Sequence, residues 1–442
     1  MRLGLVIGCL SLVGCVSAAT EAEWDALKRD VAALPAPDPS APVPAELERE
    51  ARLELILATA HARSPALRRA LGGARAALER VGQAAAWEDL VFKFMIDDGQ
   101  VASPLAFDRA AMLMVGFMQM IPALGAIDAK TAAAVMEGRR ALEEYRVGEL
   151  ELSLDVRRTF ARYVEATRAH ETHAAHERIL EDFEKLADVK YRAGTVPQTD
   201  VLKAQIERSR LRTEIAMNRK DAAVAAAKLN QLMHRPHGAV LGPPAAAELE
   251  PTPEELASLQ QRALETRPEM RAARWAIEAA RAQARLAGVE ATVPQFNVEA
   301  LYGIVSRGDD QYDASVGINL PWINPGRSAR RREAGHELTA SEDAVVALAD
   351  QVVYEVRAAH AEAEAGRAVA ELYRAEILDR TRAAVEVARR GYENNTSGFL
   401  DLLDAERTLR DAELEYARAR ARAQEAAADL ERAVGTDLPR KP

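Results

Sequence analysis

One motif is written twice in this 442-residue chain, at a constant separation. The first copy reads Tyr191, Gly194, Thr195, Asp200, Val201, Leu202, Ala204 and Gln205, and closes at Leu229. The second reads Tyr392, Thr396, Asp401, Leu402, Leu403, Ala405 and Glu406, and closes at Leu430. Tyr191 and Tyr392, Asp200 and Asp401, and Leu229 and Leu430 are each 201 residues apart. A register held over about 40 residues implies two structurally equivalent halves, each with a sharp turn between two helices. No proline lies between Pro122 and Pro197, or between Pro325 and Pro439. A proline inside a helix costs about 3 kcal/mol or more. The gaps therefore admit helices over 126–190 and 327–391, each about 65 residues, or roughly 97 Å at about 1.5 Å per residue.

The second of these long runs carries a stripe: Val345, Ala349, Val352, Val356, Ala359, Ala363, Gly366, Ala370, Tyr373 and Ile377. Steps alternating between four and three make a seam of the kind coiled coils use, and its small residues let helices approach closely. A chain that is 29% charged and 5% aromatic suits such helices better than a globular α/β core. The net charge of −10 argues against a nucleic-acid partner. Neither phosphate-binding glycine motif is present, and no nucleophile–base pair or metal site stands out, so the chain reads as a non-enzyme without a cofactor.

Each half opens with a shorter helix started by proline: Pro65 to about Trp87, and Pro268 to about Val289. Two strand-like stretches follow in each half. Phe296, Val298, Ala300, Tyr302 and Ile304 alternate with Asn297, Glu299, Leu301 and Gly303. Tyr312, Ala314, Val316, Ile318 and Leu320 alternate with Asp313, Ser315, Gly317 and Asn319. In the first half, Leu90, Phe92, Phe94 and Ile96 alternate with Lys93 and Asp97, and 111–121 forms the partner strand. One apolar and one polar face over about 9–11 residues is the pattern of a transmembrane β-barrel strand.

The N-terminus reads as an export signal. Arg2 precedes an apolar run, Leu3 to Val13, too short to span a bilayer as a helix. Leu12-Val13-Gly14-Cys15 resembles a bacterial lipoprotein box, which makes Cys15 the acylated residue; the alternative is an ordinary signal cut near Ala18-Ala19. Cys9 is removed either way, so no intramolecular disulfide forms. Expected boundaries are a signal peptide at 1–14, a lipid-anchored, proline-rich tether at 15–60, a first repeat at 61–235, a connector at 236–267, a second repeat at 268–435 and a tail at 436–442. Pro35, Pro37, Pro39, Pro42 and Pro44 give the tether an extended, semi-rigid character.

Two clusters invite metal readings. Met112, Met114, Met118 and Met120 share a strand face with Gly116, which suggests a soft-metal path; a lipid-facing or packed apolar face is favoured instead. His170, His173 and His176 advance in steps of three and spread over roughly 120° of helix, which reads as a solvated face.

The element order and the tip motifs together resemble the outer-membrane efflux protein family, the TolC-like ducts, over about residues 60–435. The residues that carry the likeness are Tyr191-Arg-Ala-Gly194-Thr195 with Thr199-Asp200-Val201, and Gly391-Tyr392 with Gly398-Phe399-Leu400-Asp401-Leu402-Leu403-Asp404-Ala405-Glu406. Leu320-Pro321-Trp322-Ile323-Asn324-Pro325-Gly326-Arg327 adds the family's strand-to-helix junction. The resemblance implies a mainly α chain with antiparallel coiled-coil helices in a trimeric α-barrel. Four strands per subunit would enter a shared 12-stranded β-barrel in the outer membrane. It implies a homotrimer in contact with outer-membrane lipid, a periplasmic adaptor (membrane fusion protein) and an inner-membrane pump of resistance-nodulation-division or ABC type. It assigns Gly194, Gly391 and Gly398 to the tip turns, and Asp401 and Asp404 to a periplasmic constriction. Asp200, Thr199 and Tyr392 fall on a tip latch, whose arginine position is Ser397 here. Asp401 also suits the first turn of a helix as a structural acid. The competing reading is a structural periplasmic coiled-coil lipoprotein without a pore, which has no need of the four amphipathic strands.

Overall fold

The computed structural model describes residues 16–97, 112–245, 255–305 and 309–436. Cys15, with its proposed acylation, lies outside them, as does part of the connector. The fold is mostly helical with four strands. The order is α1 (Ala18–Ala33), α2 (Leu53–Arg63), α3 (Pro65–Ala85), β1 (Val91–Asp97), β2 (Met112–Ile121), α4 (Ala126–Arg192), α5 (Gln198–Leu232), α6 (Leu256–Thr266), α7 (Pro268–Thr292), β3 (Phe296–Val305), β4 (Gln311–Ile318), α8 (Pro325–Leu372), α9 (Leu378–Glu393) and α10 (Phe399–Val434). The expected order, short helix, two strands, long helix, turn and medium helix, is therefore present twice. No described helix is long and apolar enough to cross a membrane. The chain divides into two compact units. One holds the residues up to Leu34, Leu71–Glu144 and Arg271–Ala347; the other holds Pro35–Ala70, Tyr145–Met270 and the residues from Leu348 onward.

The strands belong to the first unit and form one antiparallel sheet in chain order, so β1 and β4 are its edges. On β3, Phe296, Val298, Ala300, Tyr302 and Ile304 are exposed, while Leu301 and Gly303 on the other side are buried. This inverts the pattern of a water-soluble sheet packed on a core. Register carries the apolar side across the sheet: Phe92 pairs with Phe117, Phe117 with Ala300, and Ala300 with Ala314. The opposite side carries Lys93, whose ammonium meets Glu299 at 2.7 Å across the intervening β2. Gly116 lies beneath this ion pair, where a side chain would collide with the backbone of Leu301.

The register also places the methionines. β2 is apolar on both sides, so its own sequence leaves its orientation open. Met118 pairs with Glu299 and Met120 with Asn297, whereas Leu113, Val115 and Phe117 pair with Ile304, Tyr302 and Ala300. Of the expected lipid-facing or packed apolar face, the structure defines the side: the methionines share that of Lys93 and Glu299, with Met114 buried there.

The segment expected to be a tether is largely packed. Ser17 caps α1 by accepting from the Thr20 amide at 3.3 Å, and Asp128 accepts from the Ser17 amide and the Thr20 hydroxyl at 2.9 and 2.8 Å. Leu27 and Val31 are buried with Val81, Val135 and Leu142. The i, i+3, i+7 stripe of Trp24, Leu27 and Val31 sets this outcome; the prolines begin only after the helix ends.

In the second unit the chain after the prolines is strapped down as well. The Ala51 amide donates to the Pro243 carbonyl at 2.9 Å, and the Gly242 amide to the Leu47 carbonyl at 2.8 Å. Leu47, Ile56 and Ala60 pack with Val156, Phe160, Leu229 and Met233. Helices α4 and α10 run antiparallel, joined by Arg157–Glu431 at 3.2 Å, Arg158–Asp429 at 2.7 Å and Arg162–Glu425 at 3.0 Å. α8 approaches α10 where Gly366 meets Ala423; a Cβ on Gly366 would lie 3.1 Å from the Ala423 Cα.

The second long run is not α-helical throughout. Tyr373–Ile377 forms one π turn between α8 and α9. Before it, the sheltered residues keep the expected stripe, with Val352, Val356, Ala359 and Ala370 buried. After it, Leu378, Val385 and Tyr392 are buried, each one position later than the stripe extrapolates. A π turn inserts one residue, and here it re-aims the apolar face by that amount.

Candidate functional site

The two repeated turns lie in the second unit and are built alike. At the first, the Thr195 amide and hydroxyl donate to the Lys190 carbonyl at 3.0 and 2.9 Å. At the second, the Thr396 amide and hydroxyl donate to the Gly391 carbonyl at 2.8 and 3.1 Å. Each threonine thereby satisfies a carbonyl that the helix end leaves free. The left-handed residue is Gly194 in one turn (φ 71°) and Asn395 in the other (φ 59°), again 201 residues apart. Gly391 and Gly398 thus have roles other than a left-handed turn. Gly391 clears space for Ser397, and the Gly398 amide donates to the Asp401 carboxylate at 2.9 Å.

Tyr392 is the buried centre of the site. Its ring lies 5.3 Å from that of Phe399, and the Lys190 ammonium sits 5.0 Å above it. Burial and the adjacent Asp200 carboxylate push the hydroxyl up to about 12, although that hydroxyl has no partner in good hydrogen-bond geometry among the described residues. Lys190 also donates to the Glu393 carbonyl at 3.0 Å and to the Asn395 side-chain oxygen at 2.7 Å. One lysine from the end of α4 therefore spans to the turn after α9. Lys190 and Asn395 were not singled out from sequence, and Phe399 entered only as part of the second tip motif, without a role. Lys190 could have been found from the repeat itself, because it occupies the position equivalent to Gly391.

Of the residues assigned to a latch, Tyr392 and Asp200 come together, whereas Thr199 is exposed and Ser397 turns its hydroxyl to the Ala388 carbonyl at 3.3 Å. Asp401 and Asp404 are both exposed on the first turns of α10. Asp401 is committed to its helix start through the Gly398 amide. The Asp404 carboxylate has no such bond among the described residues.

Behind Tyr392, Leu180, Phe183, Ala187, Leu211, Leu402 and Leu409 complete an apolar core. A buried charged layer follows. His176 of α4 places Nδ1 2.8 Å from Glu406 and Nε2 3.1 Å from Glu413, both on α10. Burial opposes its charge, but the two carboxylates outweigh that, and its pKa lies above the ordinary histidine value. Glu207 of α5 pairs with Arg407 and Arg410, and despite burial these cations hold its carboxyl below the usual range. The Asn218 amide meets His173 Nδ1 at 2.7 Å. His173 and His176 are therefore buried, which corrects their reading as a solvated face. Their side of the helix is covered by α5 and α10.

No curated protein matches the sequence. The sequence profile of the outer membrane efflux protein family matches residues 56–234 and 259–436. Among solved structures, the outer-membrane channel OprN superposes with a TM-score of 0.75 at 18% identity, over 92% of this chain and 96% of that one. VceC from Vibrio cholerae gives 0.73 at 18% identity, over 88% and 97%. The open state of the MtrE outer membrane channel of Neisseria gonorrhoeae gives 0.72 at 20% identity, over 88% and 89%.

Proposed function

Because this chain belongs to the outer membrane efflux protein family, we propose that three copies assemble into a passive duct of a tripartite export system. The observation that carries the reading is the four-stranded sheet, with an exposed apolar side, an opposite side that carries Lys93 and Glu299, and edges at β1 and β4 that are unpaired among the described residues. A bilayer accepts strands only when every edge is closed. Pairing β1 of one subunit with β4 of the next closes a 12-stranded barrel, with the apolar side toward lipid. The exposed Leu320, Trp322 and Ile323 follow directly after β4, where an interfacial belt suits them. The remaining helices then form a coiled-coil tunnel in the periplasm, and acylated Cys15 adds an anchor.

In this assembly the two repeated turns of each subunit surround the periplasmic mouth. Asp401 and Asp404 lie one helical turn apart on the same face and form carboxylate rings, which favour cations through their local field. Tyr392 with Asp200 and Lys190 hold the helices together behind the rings. A periplasmic adaptor meets the turns, and an inner-membrane pump supplies the energy.

The test is chemical crosslinking in detergent followed by single-channel recording in a planar bilayer. A trimer with ohmic currents is expected, and Asp404→Ala lowers the preference for cations. A monomer that leaves the bilayer impermeable would falsify the duct and favour a spacer lipoprotein.

A further inference from the structure

Five of the ten methionines in this chain lie on one side of two adjacent strands. Met95 stands directly opposite Met114 across the β1–β2 ladder, and Met112, Met118 and Met120 continue the same side of β2. Directly opposed residues in an antiparallel pair have Cβ atoms about 4.5–5.5 Å apart, within reach of two long thioethers. Met112 extends its sulfur over Gly303, where any side chain would collide with it. Met95 is 42% exposed and Met114 is 9% exposed, so the row runs from an open to a sheltered position. Glu299 pairs with Met118 in register and places a carboxylate on the same side.

This is the polar side of the sheet, the one the duct reading turns to the bore. The lipid side already has its apolar residues in Phe92, Phe94, Val115, Phe117, Tyr302 and Ile304. Lipid contact therefore leaves the methionines unexplained, and a water-filled bore has no use for a row of neutral apolar side chains as such. Thioethers differ from leucine in one chemical respect that water does not cancel. Their sulfur is a soft, polarisable donor that binds Cu(I) and Ag(I) in preference to Na(I), Mg(II) or other hard ions.

We infer that Met95, Met112, Met114, Met118 and Met120 form a thioether ladder that binds soft monovalent metal ions, Cu(I) or Ag(I), along the bore of the barrel. The inference rests on the duct reading for the position of the ladder and adds a class of cargo to it. Binding is coordination alone: sulfur lone pairs replace water on the ion, and no electron or proton moves. Several weak neutral donors in sequence let an ion exchange from one pair to the next, which conduction requires.

The experiment uses the purified full-length chain in detergent, with Ag(I) measured by equilibrium dialysis and Cu(I) by competition with bicinchoninate. Two variants are compared with the parent: Met95→Leu with Met114→Leu, and all five methionines replaced by leucine. Met-to-Leu exchange conserves volume and is among the best tolerated core substitutions, so the double variant keeps the question answerable where the fivefold one fails to fold. The parent is expected to bind both ions, the double variant at least tenfold more weakly, and the fivefold variant at background. Any contribution from the cysteines is common to all three proteins and cancels. In bilayers bathed in potassium nitrate, micromolar silver nitrate is expected to reduce the parent's current and leave the variants' currents unchanged, while magnesium nitrate affects none. Normal currents with equal silver binding in all three proteins, or with none in the parent, overturn the ladder and leave the duct standing. An impermeable parent overturns the duct, and the ladder loses its bore with it.

Discussion

His176 tests how a buried charge holds two helices together. Its partners Glu406 and Glu413 both come from α10, so the imidazolium joins α4 to that helix. Its pKa is raised in the folded state, so its contribution is fully present below the unfolded value of about 6.5 and is lost as pH rises through the folded value. The thermal midpoint in detergent should fall as pH is raised above about 6.5, and His176→Gln should be less stable at low pH by about 3 kcal/mol. An unchanged pH profile in the variant would exclude His176 as the titrating group. Lys190→Met removes the two bonds to the turn after α9, each on the order of 1 kcal/mol. It should raise the open fraction of single channels about fivefold per bond lost, and parent-like gating would sink that role. That Tyr392 and Asp200 meet was implied by the family resemblance of the two tips and by nothing in the repeat itself. The burial of His176 was not legible, because a step of three places a residue on a helix without saying which helix covers it.

At the scale of elements, the π turn and Gly366 set how α8 and α9 meet their neighbours. Deleting Arg374 from the π turn should move Leu378, Val385 and Tyr392 about 100° off the apolar core. Limited proteolysis at 193–197 and 394–398 should then be faster than in the parent, and equal rates would show that the inserted residue is not what places Tyr392. Gly366→Val should cost about 1–3 kcal/mol by forcing α8 away from Ala423, read as a lower midpoint in urea. Both long runs and strands β1, β3 and β4 were legible, since proline gaps and two-residue alternation are local properties; β2, apolar on both sides, was legible only from its place in the repeated order. The π turn left no such mark, because a helix with one extra residue has the same composition as one without. α1 did leave one, in Trp24, Leu27 and Val31, but the proline cluster that follows outweighed it.

For the whole molecule the decisive quantity is the number of sheet edges. Among the described residues one chain leaves β1 and β4 open, so in the proposed duct membrane insertion and trimerisation occur together. In bilayers of brominated phospholipid, Trp322 fluorescence should be quenched, and Trp322→Phe should remove that component while Trp24, Trp87 and Trp275 remain. Full fluorescence from Trp322 in a conducting preparation would place the junction after β4 outside the interface. The amino-acid sequence by itself determined the two equivalent halves, the lengths of their helices and the doubled turns, because steric limits on proline, alternation and a constant offset act along the chain. Only the tertiary structure decided that the methionines share the side of Glu299, that His176 is buried against α10, and that the segment before the first repeat is packed. Each of these depends on strand register or helix phase, which is set by contacts between residues far apart in the chain and has no counterpart in local pattern.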